Sequence, residues 1–158
     1  MNWNDVLVYD ETSHSCLRWR SKNRASGFPA GTKKPTPYYT VSVGGYRKEV
    51  HRIIWEMFNG PVPAKMHIDH HDMDKTNNRI GNLRLATPTE NNRNKPKKAN
   101  NKSGFKGVSW DKKNKKWFAS IKSDTKLINL CRYHSAEAAH LAYCYAAHAL
   151  HGEFARTS

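Results

Sequence analysis

The apolar positions along the first third of the chain come in short alternating runs. Between Val6 and Val50 the clearest are Tyr38 to Val43 and Tyr46 to Val50, which read as strands. Turn-rich stretches such as Gly27-Phe28-Pro29-Ala30-Gly31 separate them, and Gly44-Gly45 between two β-rich runs predicts a tight hairpin. From Val50 to Phe58 the period changes to that of a helix. Ile53, Ile54, Met57 and Phe58 share one face, and Gly60-Pro61 stops the helix. Arg84 to Thr87 reads as another short strand. Thr87-Pro88-Thr89-Glu90 follows as a capping box with proline at the first helical position. Past residue 103, Gly107 to Trp110, Trp117 to Ile121 and Lys126 to Cys131 predict three strands. An Ala-rich helix then runs from Ser135 to about His151, its apolar stripe set by Ala138, Leu141, Ala142, Tyr145 and Ala149.

Composition narrows what such a chain does. Of its 158 residues only 37% are apolar, which favours two small domains over one large core. Lys and Arg number 27 against 13 acidic residues, a formal charge of +14. An excess of that size favours a polyanionic partner, because each neutralised phosphate releases condensed counterions. Nucleic acid is therefore expected and a membrane is not, since no apolar run approaches the length of a spanning helix. Met1 to Asp10 lacks the apolar core of a signal peptide, so an intracellular location is expected. Cys16, Cys131 and Cys144 are isolated, which argues against a disulfide framework and a paired-cysteine zinc site. Asn92 to Ser103 carries Arg93, Lys95, Lys97, Lys98 and Lys102 with no acidic residue, and reads as a flexible basic linker that tracks phosphates.

Met66-His67-Ile68-Asp69-His70-His71-Asp72 holds too many ionisable groups for an ordinary strand. Alternation puts Met66, Ile68 and His70 on one side and His67 and Asp69 on the other. A strand end or twist would let Asp69 and His70 converge. The order Asp69-His70, Asp74-Lys75-Thr76-Asn77-Asn78-Arg79, Asn82-Leu83 and Glu90-Asn91 resembles the HNH endonucleases of phages and group I introns. Val50-His51-Arg52 and Trp55 to Gly60 resemble the helix that precedes the motif in phage members. The resemblance spans roughly residues 46 to 92. It implies a hairpin and helix gripping one Mg²⁺ or Mn²⁺, with no zinc, bound by Asp69 and the side-chain carbonyl of Asn91. It also implies His70 as general base and Asn82 as a structural member that bridges loop backbone groups and holds His70. These types suit phosphodiester hydrolysis, which needs a near-neutral base and a hard cation on oxygen ligands. Arg52, Lys75 and Arg79 are expected phosphate contacts, His67 and His71 solvent-facing groups, and His51 a packing or backbone-bonding residue.

Ser103 to Trp110, Lys116 to Ile121, Ala136 to Ala139, Ala142-Tyr143 and His151 to Ala155 resemble the AP2 DNA-binding domain. That resemblance implies a three-stranded sheet lying in the major groove with a helix packed behind it. The DNA-facing set here would be Lys106, Ser109, Asp111, Ser120, Lys122 and Asn129. Lys112, Lys113, Lys115 and Lys116 would contact phosphates, which set register rather than sequence. Cys131 stands where that family usually has glycine, and Cys144 where it often has aspartate. Trp110, Trp117 and Tyr143 are expected core aromatics.

Together these readings give an α+β chain: a ββα-metal HNH nuclease core with a β-rich N-terminal extension, linked to an AP2-like three-stranded sheet plus helix. The expected segments are 1–45 for the extension, 46–92 for the nuclease, 93–103 for the linker and 104–158 for the AP2-like domain. The expected function is a homing-like endonuclease that nicks double-stranded DNA as a monomer or weak dimer, in the host cytoplasm if phage-encoded. The alternatives are a non-catalytic DNA-binding regulator with a decayed HNH domain, and a basic RNA-binding protein. The first is opposed by the presence of Asp69, His70, Asn82 and Asn91 together.

Overall fold

The computed structural model of the chain describes residues 2–20, 27–33, 35–97, 99–123 and 126–157. The chain divides into two compact units, Met1–Pro88 and Thr89–Ser158.

In the first unit, β1 (Leu7–Tyr9) and β2 (Leu17–Trp19) form an antiparallel pair with Leu7 opposite Trp19. The side chain of Asp10 orders the loop between them, accepting from Thr12 and pairing with Arg18. β3 (Thr32–Lys33), β4 (Tyr39–Val43) and β5 (Tyr46–Glu49) form a second antiparallel sheet in that order. The predicted hairpin at Gly44-Gly45 is present, and both residues have positive φ, 56° and 83°. That is the conformation of a primed turn, whose twist matches the flanking strands and which few residues other than glycine adopt cheaply. β5 passes directly into α1 (Val50–Asn59), and Gly60 closes the helix by donating its N–H to the Glu56 carbonyl. β6 (His67–His70) pairs antiparallel with β7 (Leu83–Ala86), and α2 (Pro88–Arg93) follows.

The core of this unit explains what residues 1–45 do. Leu7, Leu17, Ala30 and Val41 are buried in the same cluster as Val50, Ile53, Ile54, Ile68 and Leu83. The strands expected as an extension thus supply part of the core on which α1 and β6 rest. A long-range bond reinforces this: the Ile80 N–H donates to the Tyr9 hydroxyl at 2.9 Å, and Tyr9 donates to Glu11. The helix face came out one position narrower than its periodicity suggests. Phe58 is 53% exposed, with its ring edge against Tyr9 at 5.0 Å between centroids, while Ile53 and Ile54 are fully enclosed.

The second unit has the three strands and packed helix that the patterning predicts. β8 (Val108–Asp111), β9 (Lys116–Ser123) and β10 (Lys126–Tyr133) form an antiparallel sheet with β9 in the centre, and α3 (Ala136–His151) covers one face. Ser135 caps α3 through the Ala138 N–H, and Gly152 ends it at φ 51°. The buried stripe of α3 differs from the expected one: it is Ala136, Ala139, Tyr143 and Ala147. Leu141 and Tyr145 are 57% and 73% exposed. The reason is how close helix and sheet lie. A Cβ on Gly107 would sit 2.0 Å from the Tyr143 ring, so that ring lies flat on a glycine. A helix so near the strands turns its smallest residues inward. β10 carries a bulge between Asn129 and Arg132, and Cys131 within it has φ 78°. That is the left-handed geometry for which glycine is suited.

The segment read as a free basic linker is held on the second unit. Lys106 donates to the carbonyls of Arg93 and Lys95, both at 2.7 Å, Lys97 to that of Gly104, and Asn101 to that of Phe105. Asn94 is buried. Lys98 lies outside the described residues. Among the described residues no helix is long and apolar enough to cross a membrane.

Candidate active site

The β6–β7 ladder sets the site's registers, placing Asp69 opposite Arg84 and His70 opposite Leu83. Alternation along β6 predicted opposite environments for Asp69 and His70. The structure buries Ile68, Asp69 and His70 alike and exposes only His67. Asp69 can be buried because Arg84 covers it: Nε and Nη2 of Arg84 donate to the same oxygen, Oδ2, at 3.1 and 3.0 Å. A buried carboxylate needs such a partner to keep its charge.

The loop from His71 to Arg79 is ordered by its own short polar side chains. Asp74 accepts from the Thr76 N–H and hydroxyl, which hold its carboxyl below the usual carboxylate range. Partial burial would raise the Asp72 carboxyl, but donors from Asn77, Asn82 and the Asp74 N–H outweigh it and keep it low. Asn82 lies at the centre of this loop. Its carbonyl oxygen accepts from the Asp72 N–H, and its amide nitrogen donates to Asp72 Oδ1 and to the Asn77 carbonyl.

His70 takes its orientation from a residue that sequence reasoning passed over. Asn78 is 1% exposed, and its Oδ1 lies 3.3 Å from His70 Nε2. Its amide nitrogen donates to the Thr76 carbonyl, so the oxygen is the atom that faces the imidazole. A carbonyl oxygen only accepts, which places the His70 proton on Nε2 and the lone pair on Nδ1. The backbone carbonyl of Asn82 accepts from the N–H of His71, the residue after His70, at 2.9 Å. The ring of His51 meets that of His70 edge to face at 5.3 Å, and Tyr38 stands 5.1 Å from His51 and 6.1 Å from His70. Burial pushes the His70 imidazole down, while Asn78 and the carboxylates of Asp72, Asp69 and Asp74 oppose it. His51 is pushed down to about 3 by burial, then by the charges of His70 and Arg52. The signals for these residues were present in the sequence, in Asn77-Asn78 and in Val50-His51-Arg52, but a composition of common loop residues does not rank them.

Asn91 lies on α2, half-buried. Among the described residues no three His, Cys, Asp or Glu side chains cluster to hold a metal ion. A cation bound on few protein oxygens is the Mg²⁺ pattern, since that ion keeps several waters and takes one or two carboxylates plus phosphate. The buried Asp69 carboxylate is an oxygen donor of that hard type, and so, on the second unit, is the Asn91 amide carbonyl.

Of the expected phosphate contacts on the first unit, Arg52 is half-buried, Lys75 lies over the Tyr38 ring at 5.3 Å, and exposed Arg79 pairs with Glu11 at 3.4 Å. On the second unit, Val108, Ala119 and Ile121 face the helix. The ladder then puts Ser109, Asp111, Ser120, Lys122 and Asn129 together on the opposite face. Lys106 is the exception. It turns inward to the Arg93 and Lys95 carbonyls, and burial with the nearby charge of Arg156 pushes its pKa down to about 8. Asp111 is occupied with Arg132 and Asn114 and organises the β8–β9 turn, around which Lys112, Lys113 and Lys115 are exposed and Lys116 is half-buried. Trp110 is 47% exposed yet packs edge to face on Trp117, and Tyr143 is buried.

Comparison with known proteins identifies the segment that carries these residues. The model of the HNH endonuclease family matches residues 48–93, from β5 through α2. The chain is 38% identical over 107 residues to Protein 3.8 of Escherichia phage T7, a match covering 67% of this chain and 87% of that protein. The chain thus carries an HNH endonuclease domain at residues 48–93 and is a relative of Protein 3.8. It is also 39% identical over 72 residues to an uncharacterized HNH endonuclease of Acanthamoeba polyphaga mimivirus, covering 45% of this chain and 38% of that protein. No solved structure matches it. HNH nucleases generally use a divalent metal and act on DNA, so Asp69, His70, Asn82 and Asn91 all fall inside the matched segment of a nuclease family.

Proposed function

We propose that the chain is a metal-dependent endonuclease that hydrolyses phosphodiester bonds in duplex DNA and nicks one strand at a time, in the manner of a homing enzyme. The observation that carries this reading is the fixed tautomer of His70: Asn78 holds Nε2–H on a buried imidazole, and the residue before it on the strand, Asp69, is a buried carboxylate. His70 Nδ1 then takes the proton of the attacking water as general base. Asp69 and Asn91 would hold one Mg²⁺ or Mn²⁺, which when bound stabilises charge on the scissile phosphate and the leaving oxygen. Arg84 orients Asp69, and Asn82 keeps the loop carrying Asn78 in shape.

Targeting in this reading belongs to the second unit, used as an AP2-like module. Its support is the residue pattern together with the sheet face that carries Ser109, Ser120, Lys122 and Asn129. Such short side chains read bases weakly, so the lysines of the β8–β9 turn contribute mainly by phosphate contact. A single site cuts one strand, and a monomer or weak dimer is the expected state in solution.

Incubation of supercoiled plasmid carrying the source genome's sites with Mg²⁺ tests the proposal. Open circles should appear first, disappear with a chelator, and be absent with His70→Ala although that variant still binds duplex. Binding without any metal-dependent cleavage would instead make the chain a DNA-binding regulator.

A further inference from the structure

His51 is chemically out of place where it sits. It lies in the first turn of α1, is 8% exposed, and its Nδ1 is enclosed with no hydrogen-bond partner among the described residues. A buried ring nitrogen left unpaired costs on the order of 1–3 kcal/mol, a cost a phenylalanine of similar shape would not carry. Packing alone therefore does not account for an imidazole here. A bare lone pair is the less costly form for the sealed nitrogen, since orphaned buried N–H donors are the rarer case. The ring is thus neutral with its proton on Nε2, the one hydrogen-bonding group it has left.

The surroundings indicate what that donor is for. The ring contacts His70 edge to face at 5.3 Å, so it borders the base that the preceding reading assigns. α1 opens with no side-chain cap from Glu49 and no acidic residue in its first turn, and Arg52 follows His51. The first-turn N–H groups of α1 therefore take no side-chain cap, although Glu49 stands just before them, and such uncapped N–H groups with Arg52 beside them suit a phosphate oxygen.

We infer that the N-terminal turn of α1 is a phosphate-binding element of the active site, in which His51 Nε2–H donates to a non-bridging oxygen of the DNA phosphate at His70. This rests on the nuclease reading for its location, but the contact itself can be tested apart from cleavage. His51 is on this view a substrate-contacting residue that remains uncharged, whereas Arg52 adds the charge.

The test compares the wild type with His51→Phe and His51→Gln in three measurements. His51→Phe should melt at or above the wild-type temperature and bind duplex within a few-fold, yet cleave in single turnover on the order of 10²-fold more slowly. His51→Gln, which restores an N–H donor, should recover part of that rate. Titration of the wild type with a duplex oligonucleotide without metal should shift the His51 Nε2 resonance in imidazole nitrogen spectra. Cleavage by His51→Phe at the wild-type rate, or an Nε2 resonance that does not move on duplex binding, would overturn the inference. A wild type that never cuts would sink the nuclease reading alone, because the resonance shift still decides whether His51 meets phosphate.

Discussion

Asn78 Oδ1 accepts from His70 Nε2 at 3.3 Å while its own amide nitrogen is committed to the Thr76 carbonyl. The amide therefore cannot turn over without losing both bonds, and the imidazole is held in one tautomer. Asn78→Ala removes the acceptor and leaves a buried N–H on His70. The variant should lose about 1–3 kcal/mol of stability in urea titrations and cleave roughly 10- to 100-fold more slowly. Duplex affinity should be unchanged. Asn78→Asp keeps an acceptor and should retain more activity than Asn78→Ala.

Asp69 has two tasks, and mutation at this position will show both. Arg84 has a side chain only 14% exposed and donates twice to Asp69 Oδ2. Asp69→Ala would leave that guanidinium without its carboxylate, at a cost of about 3–5 kcal/mol. Thermal melting should thus fall sharply together with activity. The double variant Asp69→Ala, Arg84→Met should regain most of the stability and none of the cleavage.

A stability profile against pH should report on His51. Its folded pKa of about 3 lies below the ordinary 6.5, so between these values the unfolded chain binds a proton that the folded chain does not. Stability then falls as pH drops from 6.5 toward 3, with a slope from this group of at most about 1.4 kcal/mol per pH unit. The depressed carboxyls of Asp10, Asp72 and Asp74 add loss in the acid part of the same range. His51→Phe should remove the His51 component alone, so denaturant titrations of the two proteins should diverge as pH falls from 7 to 5.

The N-terminal strands should prove indispensable to the nuclease unit. Leu17 is fully enclosed in the cluster that holds Ile53 and Ile68. Leu17→Ala should cost about 2–5 kcal/mol. A chain that begins at residue 46 should show neither a cooperative melt nor cleavage.

Lys106 holds down the segment between α2 and the sheet through two backbone carbonyls. Lys106→Met should speed cleavage by trypsin at Arg93 and Lys97 several-fold while the sheet and α3 remain folded. If DNA affinity falls uniformly across sequences, the segment contributes phosphate contacts, as its charge suggests.

Local chemistry made much of this fold legible. Gly44-Gly45 announced its turn, Gly60 its helix end, and the Asp69-His70 to Asn91 order its family. The phase of α3 was not legible, because alanine, leucine and tyrosine occur on both of its faces and periodicity cannot choose between them. Closeness to the sheet chose, through Gly107 and Tyr143. Asn78 and His51 were hidden for a related reason: their importance comes from what they touch, and neighbours 8 and 19 residues away in sequence from His70 are not marked by spacing. Lys106 misled because a lysine looks like a surface cation until backbone carbonyls are found around it.

The bond between the Tyr9 hydroxyl and the Ile80 N–H spans 71 residues. On the ribosome, the first hairpin is made long before the partner that completes its packing emerges. The strands of the first unit pair only with their neighbours in sequence, so what assembles late is the packing that joins these hairpins and α1 into one core. His70 and Asn78 come into register only after that closure. Under the proposed function, a chain still being made therefore has no oriented base until its first unit has closed.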